Sequence, residues 1–171
     1  MHLSFSALRR ALPVVAALFL SLGLFSAFAQ ADSVLRDMRG NITTFDAQQK
    51  PGQWTVVMIW ASDCHVCNQE ANQYSGFHTQ HAGRDANIIG ISIDGERGKK
   101  DAEAFISRND VIFPNLIGDV QTVSRWYQME TGETFRATPT FVLFDPDGEV
   151  KAAQPGAVPP EIIEQFIAKN S

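Results

Sequence analysis

Cysteine is scarce in this chain: Cys64 and Cys67 are the only two in 171 residues. A structural bridge between residues three apart would close a very small loop and add little stability through chain entropy. A four-ligand zinc site would need partners that the surrounding sequence does not provide. There is no basic run, and the net charge is −5, which argues against nucleic acid as a partner. The acidity by itself speaks mainly for solubility. Internal repeats and low-complexity segments are absent as well.

Charge is also missing from Ala11 to Ala31, directly after the basic pair Arg9 and Arg10. Small residues in Ala27-Phe28-Ala29 and Ala29-Gln30-Ala31 are spaced for cleavage, so residues 1–31 read as a signal peptide. An uncleaved N-terminal anchor is the alternative, since that length can span a bilayer. Pro13 and the two overlapping cleavage sites favour removal. Either reading places residues 32–171, enough for one core and one domain, in a periplasmic or otherwise extracytoplasmic compartment where disulfides persist.

Trp54 to Cys67 reads W-T-V-V-M-I-W-A-S-D-C-H-V-C. The run from Thr55 to Trp60 is apolar, rich in β-branched residues and short, and it predicts a buried strand. Ala61, Ser62 and Asp63 form a bend, and helical spacing starts at the cysteines. At a helix N-terminus Cys64 meets unpaired N–H groups and the positive end of the dipole, both of which favour a thiolate. Cys67 lies one turn later on the same face, close enough to bridge. The pair suits thiol–disulfide exchange, with Cys64 attacking and Cys67 resolving; metal binding and a plain structural pair remain the alternatives. His65, between the cysteines, is either a solvent-facing filler or an imidazolium that favours the Cys64 thiolate.

In the rest of the chain, Gly40-Asn41 predicts a hairpin in front of the Trp54 strand. Tyr74, Phe77, His78 and His81 share one helix face, where the histidines read as half-buried residues rather than metal ligands. Asn87 to Ile93 predicts a second buried strand, and Lys99 to Asn109 a helix. Asp119 caps a helix over Val120 to Gln128, followed by a polar loop from Glu130 to Arg136. Strands follow at Phe141 to Phe144 and Glu149 to Ala153. Pro160 opens a last helix with Ile162, Ile163, Phe166 and Ile167 inward. The order β-α-β-α-α-β-β-α predicts an α/β fold: a central mixed sheet with helices on both faces and an N-terminal β-hairpin. Active groups in such sheets gather at the C-terminal ends of strands, where Cys64 falls.

Trp60-Ala61-Ser62-Asp63-Cys64-His65-Val66-Cys67 resembles the W-A-x-x-C-x-x-C segment of the thioredoxin superfamily. Thr138-Pro139-Thr140-Phe141 resembles its cis-proline loop. The leader, the hairpin and the helix before Phe113-Pro114 resemble the TlpA/ResA/DsbE branch of extracytoplasmic thioredoxin-like proteins. The resemblance implies a thioredoxin-like fold, Cys64 as exposed nucleophile and Cys67 as buried resolving thiol. It also implies that Pro139 and Thr138 receive a substrate strand, and that Trp60 packs under the active-site turn as part of the substrate-binding region. Three departures stand out. Met58 occupies the place of a buried acid, the loop from Met129 to Arg136 is long, and His-Val stands between the cysteines. Glu96, or Asp94 as second choice, is expected to replace the acid as general base for Cys67.

The sequence thus predicts an exported thiol–disulfide oxidoreductase that reduces protein disulfides. Its only cofactor would be its own Cys64–Cys67 disulfide, re-reduced by a membrane electron donor of the DsbD/CcdA type. Rival readings are a periplasmic thiol oxidase or isomerase, and a Cu(I) metallochaperone using Cys64, Cys67 and His65. A peroxidase is the weakest, because its reactive cysteine does not normally sit in C-x-x-C.

Overall fold

Every residue from Trp54 to Trp60 is buried, a pattern that requires a paired strand on each edge and a covering layer on each face. The computed structural model, which describes residues 34–171, supplies both. In chain order the elements are β1 (Leu35–Asp37), β2 (Ile42–Thr43), β3 (Trp54–Trp60), α1 (His65–His81), β4 (Ala86–Ser92), α2 (Lys99–Arg108), β5 (Asn115–Ile117), α3 (Val120–Thr131), β6 (Thr140–Phe144), β7 (Val150–Pro155) and α4 (Pro160–Asn170). The leader expected over residues 1–31 lies outside the described residues. Among those described, no helix is long and apolar enough to cross a membrane.

The strands form a seven-stranded sheet in the order β2-β1-β5-β4-β3-β6-β7. The central strands β3, β4 and β5 run parallel, while β1–β2, β1–β5, β3–β6 and β6–β7 pair antiparallel. The mixed sheet and its front hairpin match the expectation; strand β5 does not appear in it. Asn-Leu-Ile is too short for a period to show, and its strand character comes from pairing with β1 and β4.

Alternation along β3 sends Trp54, Val56, Met58 and Trp60 to one face, where they pack with Cys67, Ala71, Tyr74 and Phe77 of α1, Phe105 of α2, and Ile163 and Ile167 of α4. Val57 and Ile59 point the other way, into a cluster with Phe45 and with Val123, Trp126 and Tyr127 of α3. Asp119 caps α3 as expected, its carboxylate accepting the Thr122 N–H at 2.7 Å. The helix runs on to Thr131 and ends at Gly132, whose φ of 74° suits a left-handed cap. In α4, Ile162 is 51% exposed, a correction to the expected inner stripe. Four apolar residues span a wider arc than the buried face of this helix, and only Ile163 and Ile167 lie fully inside it.

Gly90 is required by its neighbours. The indole Nε1–H of Trp60 on β3 donates to Asn115 Oδ1 on β5 at 2.9 Å, passing over the middle of β4. A Cβ at position 90 would overlap the Asn115 side chain and lie 2.8 Å from Trp60 Nε1. Gly90→Ala is therefore expected to lower stability by about 1–3 kcal/mol through overpacking and the loss of a buried hydrogen bond. Urea denaturation of the variant measures it.

Of the helical histidines, His81 bridges Asp85 at 3.0 Å and Glu164 at 3.3 Å, joining α1 to α4. His78 is half-buried, and its Nδ1 is buried without a hydrogen-bond partner. Burial, with Lys50 nearby, holds its imidazole below the ordinary value of 6.5. A depressed value means that the unfolded chain takes up the proton first. The contribution is complete above 6.5 and is lost as pH falls through the depressed folded value. His78→Leu is expected to flatten the decline of the urea midpoint between about pH 7 and pH 5.

Candidate active site

Where β3 ends at Trp60, the chain has one bend before α1 begins, and the cysteines occupy the first helical turn. Cys64 is the N-cap of α1, and its sulfur accepts the backbone N–H of Cys67 at 3.1 Å. The two cysteines form a disulfide, with Cα atoms 5.2 Å apart. Their exposure is unequal: Cys64 is partly accessible, while Cys67 is 0% exposed in the core beneath it. A sulfur reached from solvent thus sits over one sealed inside. The Cys67 N–H aimed at the Cys64 sulfur and the N-terminal end of the helix dipole both favour negative charge at that position.

The bend itself is held on both sides. From the β4 side, the Ser62 N–H donates to both carboxylate oxygens of Asp94, at 3.2 and 3.0 Å, and Ser62 Oγ donates to Oδ1 at 2.9 Å. Ser92 Oγ donates to Asp94 Oδ2 at 2.7 Å. From the helix side, Asn68 Nδ2 donates to the carbonyls of Ser62 and Cys64, at 3.0 and 2.9 Å.

The two acids expected near Cys67 separate clearly. Asp94 reaches the active-site turn. Glu96 is turned to the surface, its side chain 57% exposed and 3.4 Å from Arg36. Met58 fills the buried place six residues before Cys64 and packs into the α1-side core. His65 stands exposed on the first turn of α1. Trp60, at 0% exposure and stacked on Phe105 at 4.1 Å, supports the turn from below. Expected among the substrate-binding residues, its ring lies wholly beneath the surface, in the core-packing position.

Across from the cysteines, the Thr138–Pro139 peptide bond is cis. Pro139 is buried, and its carbonyl accepts the Gly156 N–H at 2.8 Å. The Ala137 carbonyl is occupied by Thr140 Oγ1 at 2.6 Å. The half-buried Thr138 keeps its backbone N–H and carbonyl without a protein partner among the described residues. Among those residues no group of three or more His, Cys, Asp or Glu side chains is placed to hold a metal ion.

Sequence reasoning did not find Ser62, Ser92, Asn68 or Arg108 as site residues. Asn68 directly follows the cysteine pair and was open to notice. Ser62 and Asp94 lie 32 positions apart, and only the parallel pairing of β3 with β4 brings them together.

The AhpC/TSA family model matches residues 28–153. Sporulation thiol-disulfide oxidoreductase A of Bacillus subtilis (strain 168) is 23% identical over 116 residues, 67% of each chain. Alkyl hydroperoxide reductase C of Mycobacterium tuberculosis is 40% identical over a shorter stretch of 55 residues, 32% of this chain and 28% of that one. Among solved structures, StoA from Bacillus subtilis superposes with a TM-score of 0.59 at 20% identity, covering 81% of this chain and 95% of that one. A thioredoxin-related protein from Neisseria meningitidis serogroup B gives 0.66 at 17% identity, covering 79% and 96%. The chain belongs to the AhpC/TSA family, as a thiol–disulfide oxidoreductase of thioredoxin-like fold.

Proposed function

We propose that this oxidoreductase is an exported reductase of protein disulfides. The observation that carries the reading is the unequal burial of the two sulfurs: Cys64 is partly accessible and faces an N–H, and Cys67 lies beneath it at 0% exposure. In the reduced protein the Cys64 thiolate attacks one sulfur of a client disulfide. That client bond breaks, its leaving sulfur takes up a proton, and a mixed disulfide with Cys64 forms. Cys67 then loses its proton and attacks the Cys64 sulfur, releasing the second client thiol and leaving Cys64–Cys67 oxidised. Two electrons pass to the client, and no cofactor beyond the dithiol is needed.

The unpaired backbone groups of Thr138, beside Pro139, support docking of an extended client segment by main-chain hydrogen bonds. The basic pair Arg9 and Arg10, the charge-free run from Ala11 to Ala31 and its small-residue spacing support export. Outside the cytoplasm the oxidised form needs an electron source, and a membrane donor of the DsbD/CcdA type fits that need. The similarity to alkyl hydroperoxide reductase C supports a second reading, in which the thiolate attacks a peroxide. The O–O bond breaks, one oxygen leaves as alcohol or water, and Cys67 condenses with the resulting sulfenic acid to release water. Insulin reduction run beside hydrogen peroxide consumption separates the two: the reductase reading expects the first and fails if only the second occurs.

Cys67→Ser is expected to accumulate covalent adducts between Cys64 and client proteins, because the resolving thiol is gone, whereas Cys64→Ser accumulates none. Non-reducing electrophoresis reads the outcome, and adducts on the Cys64 variant would reverse the roles.

We assign the assistance of Cys67 deprotonation to Asp94, since its carboxylate is the one joined to the active-site turn while Glu96 pairs with Arg36. Asp94→Asn is expected to slow mixed-disulfide resolution by at least about tenfold between about pH 6 and pH 9. Glu96→Gln should leave the rate unchanged. Stopped-flow tryptophan fluorescence follows the step, and equal rates in all three proteins would remove Asp94 from the mechanism.

A further inference from the structure

The Ser62 carbonyl, two residues before Cys64, accepts a second hydrogen bond besides that from Asn68. Arg108 Nη2, at the end of α2, donates to it at 2.7 Å. Arg108 Nε donates to Asn68 Oδ1 at 2.8 Å, and Asn109 Nδ2 reaches the same oxygen at 3.1 Å. All the hydrogen-bonding capacity of the Asn68 amide is thereby committed to the turn and to α2. The guanidinium also lies over the Phe105 ring, 5.5 Å from its centroid, and Phe105 stacks on Trp60. Two donor arms and a ring face therefore fix one cation against the bend that leads into Cys64.

Both acceptors, Ser62 O and Asn68 Oδ1, are neutral, and no carboxylate pairs with Arg108 among the described residues. The charge is consequently left to act on its surroundings. The neighbouring charged and titratable groups are Asp63 in the bend, His65 on α1 and Asp94, which holds Ser62 from the opposite side; Arg136 precedes Thr138 in the loop across from the cysteines. Two residues of chain span at most about 7 Å, which with the 2.7 Å hydrogen bond to the Ser62 carbonyl leaves the guanidinium on the order of a Debye length from Cys64 at ordinary ionic strength.

We propose that Arg108 is a positioning residue that sets the redox poise of the Cys64–Cys67 couple, by fixing a positive charge beside the thiolate that only the reduced state carries. The disulfide has no charge at Cys64, so the cation stabilises one side of the couple and makes the disulfide easier to reduce. The helix N-terminus acts in the same sense, and Asp63 and Asp94 act against it. The inference rests on the dithiol chemistry proposed above but not on its direction.

The full chain is equilibrated with glutathione, one protein disulfide and two glutathione thiols giving one protein dithiol and one glutathione disulfide. Wild type, Arg108→Gln and Arg108→Lys are compared, with the rate of Cys64 alkylation followed against pH. Arg108→Gln is expected to shift the equilibrium constant about fivefold toward the disulfide, equivalent to a potential lower by about 20 mV for a two-electron couple. Its alkylation profile should move to higher pH. Arg108→Lys, which keeps the charge, should recover most of both, and the differences should shrink in about 1 M salt, where screening is short-ranged. An Arg108→Gln protein with the wild-type constant and only a changed denaturation midpoint would overturn the proposal, as would a lysine variant no better than glutamine. A wild-type Cys64–Cys67 disulfide that excess dithiothreitol cannot reduce in the folded chain would overturn the function proposed above, and this inference with it.

Discussion

The architecture depends on a strand with no exposed face. β3 is hydrogen-bonded along both edges and covered on both sides, so its last residue is fixed in space by the whole sheet. The chain leaves it at Trp60, and one bend later Cys64 caps α1. A sulfur mounted this way inherits the rigidity of the core without sharing its burial. That combination matters for exchange chemistry, in which the attacking, central and leaving sulfurs must approach in line. The hydrogen bonds around Ser62 extend the same constraint across the three residues that separate strand from helix.

The polar groups behind the disulfide illustrate how a site can be ordered by hydrogen bonds among its own side chains and backbone. Asp94, Ser92, Ser62, Asn68 and Arg108 form a connected set that runs from the end of β4 to the end of α2. Each buried donor or acceptor in such a set is costly to leave unmade, so completed networks specify one geometry. The network also divides charge by element: an acid on the β4 side of the bend and a base on the α2 side, both hydrogen-bonded to Ser62, two residues before Cys64.

Much of this was legible in the sequence because local chemistry carried it. The cysteine pair after a buried run, Asp119 before α3, Gly40-Asn41 at the hairpin and Pro160 at the start of α4 each announce themselves within a few residues. What was not legible comes from pairing at a distance. β5 is three residues long and is a strand because β1 and β4 make it one. The choice between Asp94 and Glu96 turns on which acid the chain delivers to Ser62 after β4, a matter of two residues and one turn. Arg108 is a basic residue at a helix C-terminus, where its type is expected for reasons of dipole alone. Ile162 has the composition of a core position and the angular place of a surface one.

The sealing of Cys67 has a consequence for any reagent that counts thiols. Once reduced, a chain that keeps this fold presents solution with a single accessible sulfur, although it holds two. The second can be counted only when the first turn of α1 lifts from the sheet, a local opening that draws on the stability of the surrounding core. Slow appearance of a second label is thus a clock for motion at this one helix terminus. The buried thiol serves as an internal tracer of how often the scaffold lets go of its own active site.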